Sequence, residues 1–157
     1  MEQKEIHITY SQFGSVEEMN AEDRELVSAS IEAMGGAYAP YSHFHVGAAV
    51  RLSNGQIVRG ANQENAAFPS GLCAERTAMF AASSKYPDKD MLSIAIAGGV
   101  YGRLGPTPAS PCGACRQVMA QYQTKSGKPM SIIMVADGKI LKFEKVDDLL
   151  PMIFNNI

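Results

Sequence analysis

Apolar and polar positions along the chain change period several times, and each change marks an element. After Asn20, a residue suited to capping a helix, Leu26, Val27, Ser30, Ile31 and Met34 fall on one helical face, and Gly35-Gly36 ends the run. Residues 44–52 read as a strand, Ser53-Asn54-Gly55-Gln56 as a type I′ hairpin turn, and residues 57–61 as its partner. A loop over 62–71 closes on Pro69-Ser70-Gly71, and the Ala-rich stretch 72–84, with Arg76, Met79 and Phe80, has helical character. Residues 91–97 are almost continuously apolar, the pattern of a strand buried on both faces. Residues 98–110 hold four glycines and two prolines and are expected to be loop. A helix over 112–122, strands at 130–135 and 139–143 around an Asp137-Gly138 turn, and a short helix at Leu149-Leu150 before Pro151 complete the pattern.

This order predicts an α/β layered domain, a five-stranded mixed sheet flanked by helices. Residues 1–20, irregular despite Tyr10 and Phe13, form an N-terminal arm, and 21–157 form one domain, as the length of 157 residues suggests. An apolar fraction of 46% and a charged fraction of 19% exclude disorder and support a real core. The net charge is -2, with Lys and Arg scattered, so the basic stripe of a protein that tracks polymeric nucleic acid is missing. Residues 1–7 lack the apolar stretch of a secretory signal, and no run approaches the ~18 apolar residues of a membrane span. Three cysteines, an odd count, read as reduced thiols, and the expected location is the cytoplasm.

Those cysteines change the picture. Cys112 and Cys115, after Pro111 at an apparent helix start, lie on one helical face one turn apart. Alone they could be a redox pair, a metal site or chance. Cys73 also sits at an apparent helix start, and three thiolates suffice to hold zinc with its fourth position open to water. Two helix N-termini aimed at one point favour thiolates, and Arg76 and Gln117 are placed to donate to the sulfurs. Glu75 is the candidate proton carrier. Residues two apart on a regular helix diverge by ~200°, so Cys73 and Glu75 can share a site only if Cys73 lies at the mouth, before the helix becomes regular. The alternative is a closed structural zinc, for which His7, His43 and His45 are the available fourth ligands.

With Cys73-Ala74-Glu75-Arg76, Pro111-Cys112-Gly113-Ala114-Cys115-Arg116-Gln117 and Asn62-Gln63-Glu64-Asn65 in order, the chain resembles the cytidine deaminases, in particular their short, homotetrameric, three-cysteine class. Residues 38–49, Tyr-Ala-Pro-Tyr-Ser-His-Phe-His-Val-Gly-Ala-Ala, extend the match, which covers about 22–157. The resemblance implies a three-layer fold and hydrolysis of cytidine and deoxycytidine to uridine and deoxyuridine with release of ammonia. It implies one zinc per subunit on Cys73, Cys112 and Cys115, with Glu75 shuttling protons to ring N3 and to the departing amine. It further implies that Asn62 and Glu64 bond the sugar hydroxyls, Phe44 packs on the pyrimidine, and Ala74 N–H and Ser110 C=O lie near the reacting groups. Phe68 and Phe154 match positions that reach a neighbouring subunit's site. Loss of Asn62 is then expected to weaken substrate use far more than stability.

The stretches 85–90 and 100–109 look longer than the family pattern, and Gly99, Gly102 and Gly105 are spaced as a mobile loop, not a phosphate cradle. Two other readings fit the same cysteines. One is a blasticidin-type or other small-base deaminase, against which Asn62 and Glu64 argue. The other is a zinc-stabilised interaction module, in which Glu75 would be dispensable.

Overall fold

A computed structural model describes residues 1–155; the last two residues of the domain expected over 21–157 lie outside them. Six strands form one sheet: β1 (Ser11–Phe13), β2 (Phe44–Leu52), β3 (Ile57–Ala61), β4 (Met91–Val100), β5 (Ser131–Ala136) and β6 (Lys139–Phe143), in the spatial order β1-β6-β5-β4-β2-β3. All neighbours are antiparallel except β4 and β5, whose parallel pairing requires a crossover, and α3 (Gly113–Ser126) lies in that connection. α1 (Ala21–Ala33) covers one face, while α2 (Ala74–Lys85) and α3 cover the other.

Strand alternation sorts the core into two halves. Ala48, Val50 and Leu52 of β2 join Ile94, Ile96, Ile132 and Met134 beneath α2 and α3. The intervening Ala49, with Ala95, Ala97, Ile133 and Val135, packs against Leu26 and Val27 of α1. Helices on both faces are why β4 reads as an unbroken apolar run. The Asn20 side chain accepts from Asp23 N–H at 2.8 Å and starts α1.

The sheet has six strands and not five, because β1 comes from the stretch read as an irregular arm. It pairs with β6 in the register Ser11↔Lys142, and the Tyr10 ring sits 5.3 Å from Phe143. The hairpin turn is not type I′, which needs positive φ at both central residues. Among the turn residues Gly55 alone is left-handed (φ 82°), and Gly55 N–H donates to Leu52 C=O while Leu52 N–H donates to Gln56 C=O. That is a three-residue loop with glycine at its bulge.

β4 runs through Gly98 and Gly99 to Val100, into the stretch expected to be loop, because Gly98 and Gly99 continue the register opposite Val46 and His45. α3 continues past 122 to Ser126, where left-handed Gly127 (φ 65°) donates back to Gln123 C=O and ends it. No helix forms at Leu149-Leu150; a 3₁₀ turn over Val146–Asp148 precedes them. Among the described residues no helix is long and apolar enough to cross a membrane.

Candidate active site

The two helices beneath the sheet begin at cysteines. Cys73 is the N-cap of α2 and Cys112 the N-cap of α3, both with extended backbone (ψ 153° and 165°). Neither side chain bonds a helix N–H, so each sulfur is left free at the positive end of a helix dipole. Cys115 lies one turn into α3 and is fully buried. The three sulfurs lie within 4.8 Å of one another, with Cys73 Sγ and Cys112 Sγ 3.9 Å apart. Tetrahedral zinc with Zn–S bonds of about 2.3 Å separates its sulfurs by roughly 3.8 Å, so the spacing fits that ion and is far too wide for a disulfide. Cys73, Cys112 and Cys115 are thus placed to hold one metal ion.

No histidine joins this group among the described residues. His43, with left-handed backbone (φ 56°), stacks on Tyr101 (φ 52°) at 5.1 Å. A hydrogen bond from the Cys115 thiol draws the Cys73 thiol down to about 5; burial opposes it, and Arg76, whose Nη2 lies 3.7 Å from Cys73 Sγ, adds to it. Sharing that proton, and burial, hold the Cys115 thiol well up. Arg76 Nε is buried without a partner.

Because Cys73 precedes the regular helix, Cys73 and Glu75 both line one cavity of about 560 Å³, with Ala74, Cys112, Phe44 and Asn62. Glu75 is 4% exposed, and burial first, then the neighbouring Cys73 charge, raises its carboxyl above the usual range. Ala74 at the first turn of α2 is fully buried. Ser110 lines the cavity too, its Oγ accepting from Arg116 Nη2 at 2.9 Å. Arg116 also donates to Pro111 C=O and Leu149 C=O, which fixes the chain just before Cys112.

Glu64 lines a second cavity of about 600 Å³ with Tyr41, Ser42, Phe68 and Arg76, and Asn62 and Cys73 border both cavities. The Asn62 and Glu64 side chains already hold backbone. Asn62 Oδ1 accepts from Val46 N–H at 2.8 Å, and its Nδ2 donates to Phe44 C=O at 2.9 Å. Glu64 Oε2 accepts from Tyr41 and Ser42 N–H at 2.9 and 3.2 Å, and Oε1 accepts from the Ser42 hydroxyl. Ser42 first, then the backbone amides, holds this carboxyl below the usual range. What is left over suits hydroxyl groups: one N–H and one acceptor position on Asn62, and about one acceptor position on Glu64 Oε1.

Phe44 is 40% exposed at the cavity wall, whereas Phe68 and Phe154 are 75% and 68% exposed. Phe68 meets Tyr41 edge-on at 5.8 Å. Gln117, expected to donate to the sulfurs, instead donates through Nε2 to Phe154 C=O at 2.8 Å, because the chain after Pro151 returns beside α3 and offers it a carbonyl.

Sequence reasoning passed over two features. Gly60 in β3 lets α2 approach: a Cβ there would lie 2.3 Å from Ala78 N and 2.8 Å from Ala74 O. Its signal, a glycine inside a strand, was present. Residues Gly105, Pro106, Thr107, Pro108 and Ala109, in the stretch expected to be a loop longer than the family pattern, line the same cavity as Glu75 and Asn62.

A family model for the cytidine and deoxycytidylate deaminase zinc-binding region matches residues 20–128. A cytidine deaminase of Halalkalibacterium halodurans is 47% identical over 100 residues, 63% of this chain and 71% of that protein. One from Sporosarcina psychrophila is 43% identical over 98 residues, 62% and 68% of the two chains. The crystal structure of cytidine deaminase from Burkholderia pseudomallei superposes with a TM-score of 0.72 at 37% identity, covering 87% of this chain and all (100%) of that one.

Proposed function

Since the chain belongs to the family of zinc-binding cytidine and deoxycytidylate deaminases, we infer that it hydrolyses cytidine and deoxycytidine to uridine and deoxyuridine with release of ammonia, a step of pyrimidine salvage. The observation that carries this reading is the pair of cysteine-capped helices whose three sulfurs stand at zinc spacing while Glu75 is buried in the wall of the same cavity. Cys73, Cys112 and Cys115 would hold one zinc per subunit, and the bound ion would supply Lewis acidity that lowers the pKa of water to ~7.

Glu75 carries the protons. Its carboxylate accepts one proton from water and delivers it to ring N3 as the remaining hydroxyl adds to C4; it then takes the proton of that hydroxyl and passes it to the amine as the C4–N bond breaks, so water and cytidine become uridine and ammonia. Burial keeps this carboxyl basic enough for the first transfer. Ala74 N–H and Ser110 C=O flank the reacting atoms, and Phe44 packs on the pyrimidine. The spare donor of Asn62 and the spare acceptor of Glu64 take one sugar hydroxyl, so a free base would leave both without partners. Arg76 offsets the thiolate charge through Cys73.

Exposed Phe68 and Phe154 suit contact with a neighbouring copy's site. This supports a homotetramer; small nucleosides are its proposed substrates and the cytoplasm its proposed location. The test is incubation of the purified protein with cytidine, deoxycytidine, cytosine and adenosine, monitoring ammonia. The first two release it; equal release from free cytosine would exclude a nucleoside enzyme, and release from none would leave a blasticidin-type deaminase or the zinc-stabilised module.

A further inference from the structure

The hydrogen bonds around Glu64 and Asn62 close into a ring. The Ser42 hydroxyl donates to Glu64 Oε1 and accepts from Phe44 N–H at 3.0 Å; Phe44 C=O accepts from Asn62 Nδ2 at 2.9 Å; and Asn62 is joined to Glu64 through one intervening residue. Both polar groups of the Phe44 peptide are therefore held by the ring. Phe44 is the aromatic wall of the cavity that contains Glu75, whereas Glu64 faces the adjoining cavity. One hydroxyl links the two ends.

We propose that Ser42 is a positioning residue: its hydroxyl fixes the Glu64 carboxylate for a sugar hydroxyl and, through Phe44 N–H, ties that recognition to the aromatic wall on which the base packs. The proposal rests on the reading of Glu64 as a sugar contact. Its physical basis is saturation of the carboxylate. A carboxylate offers about four acceptor positions, and the Tyr41 and Ser42 amides with the Ser42 hydroxyl fill three, so the fourth is directed and not free to choose. Without the hydroxyl, Oε1 has two open positions, the carboxylate is held through Oε2 alone and can pivot about it, and Phe44 N–H loses its partner. Both changes loosen ground-state binding and leave Glu75 and the sulfurs untouched, so they act on KM more than on kcat. Ser42 is exposed, so removing its hydroxyl opens no cavity.

The experiment uses the full-length, zinc-loaded enzyme and cytidine, with Ser42→Ala, Ser42→Thr, Glu64→Gln and the Ser42→Ala/Glu64→Gln double variant. Ser42→Ala is expected to raise KM by about tenfold while kcat falls by less than about threefold, and Ser42→Thr, which keeps the hydroxyl, to restore most of the loss. In the Glu64→Gln background the same change should add at most about threefold, because the two act through one carboxylate. A KM within about twofold of wild type for Ser42→Ala, or losses that multiply fully in the double variant, would overturn the proposal alone. So would a melting temperature that falls in step with activity, which would assign the serine to loop stability. Absence of cytidine turnover in the wild-type protein, or no effect of Glu64→Gln, would overturn the functional reading and this proposal with it.

Discussion

Gly60→Ala probes how closely the chemistry depends on the seating of α2. A Cβ at position 60 would lie 2.3 Å from Ala78 N and 2.8 Å from both Ala78 Cα and Ala74 O, where ordinary contact begins near 3.4 Å. All three atoms are backbone, so no side-chain rotation relieves the overlap, and the helix must retreat from β3 by about 1 Å. The displaced turn carries Cys73 at its cap and Glu75 in its first turn, whereas Cys112 and Cys115 ride on α3 and stay behind. Misplacement by that much costs about 10²-fold in turnover, and strain of this kind costs about 1–3 kcal/mol of stability. The assay is kcat/KM for cytidine with zinc content measured on the same sample, and urea unfolding alongside. Gly36→Ala is the control, since its Cβ would meet Ala61 Cβ at a comfortable 3.6 Å, and it should keep wild-type zinc and turnover. A Gly60→Ala protein with full zinc and turnover within about threefold of wild type would refute the argument that helix seating sets the site.

Three further substitutions or treatments bear on the same site. Glu75→Gln should bind zinc and nucleoside yet lose at least ~10²-fold in kcat, the scale of a general acid–base residue; near-normal kcat with full zinc would remove Glu75 from the mechanism. Asn62→Ala removes two hydrogen bonds to β2, each worth about 1 kcal/mol, so denaturant unfolding should show a loss of about 2 kcal/mol together with a raised KM. A loss confined to KM would mean that solvent replaces the side chain on both backbone groups. Chelation of zinc should make Cys73 alkylate before Cys115 at neutral pH, because a pKa of about 5 leaves it ionised above that value while Cys115 keeps its proton. Mass spectrometry that finds Cys115 modified first would contradict this ordering.

Periodicity could reveal the elements whose burial is regular. β4 reads as an apolar run because helices cover both its faces, and α1 reads from Leu26 and Val27 on one side with Asn20 at its cap. β1 was not legible. Three residues, Ser11, Gln12 and Phe13, are too few for a period, and their pairing depends on the edge of β6, 130 or so positions away. The hairpin loop failed for a related reason. Asn54-Gly55 favours a type I′ turn locally, but the closing bonds of Leu52 with Gly55 and Gln56 select the longer loop in which only Gly55 is left-handed.

The site divides along the same line. Thiolate chemistry constrains residue type and spacing so strongly that Cys73, Cys112 and Cys115 could be assembled from sequence, and the sulfur spacing follows from two N-caps. Side chains whose partners are backbone could not be read that way. Gln117 was assigned to the sulfurs because its neighbours were, yet a carbonyl of the C-terminal segment takes its amide. For Asn62 and Glu64 the resemblance implies sugar contacts, whereas most of their hydrogen-bonding capacity organises residues 41–46. The two roles are one device. A polar pair with no partners of its own would be costly in a half-buried cleft, so the loop that presents Phe44 satisfies most of it. The fraction left unsatisfied, one donor and about two acceptor positions, is then small enough to tolerate without substrate and specific enough to select for hydroxyl groups.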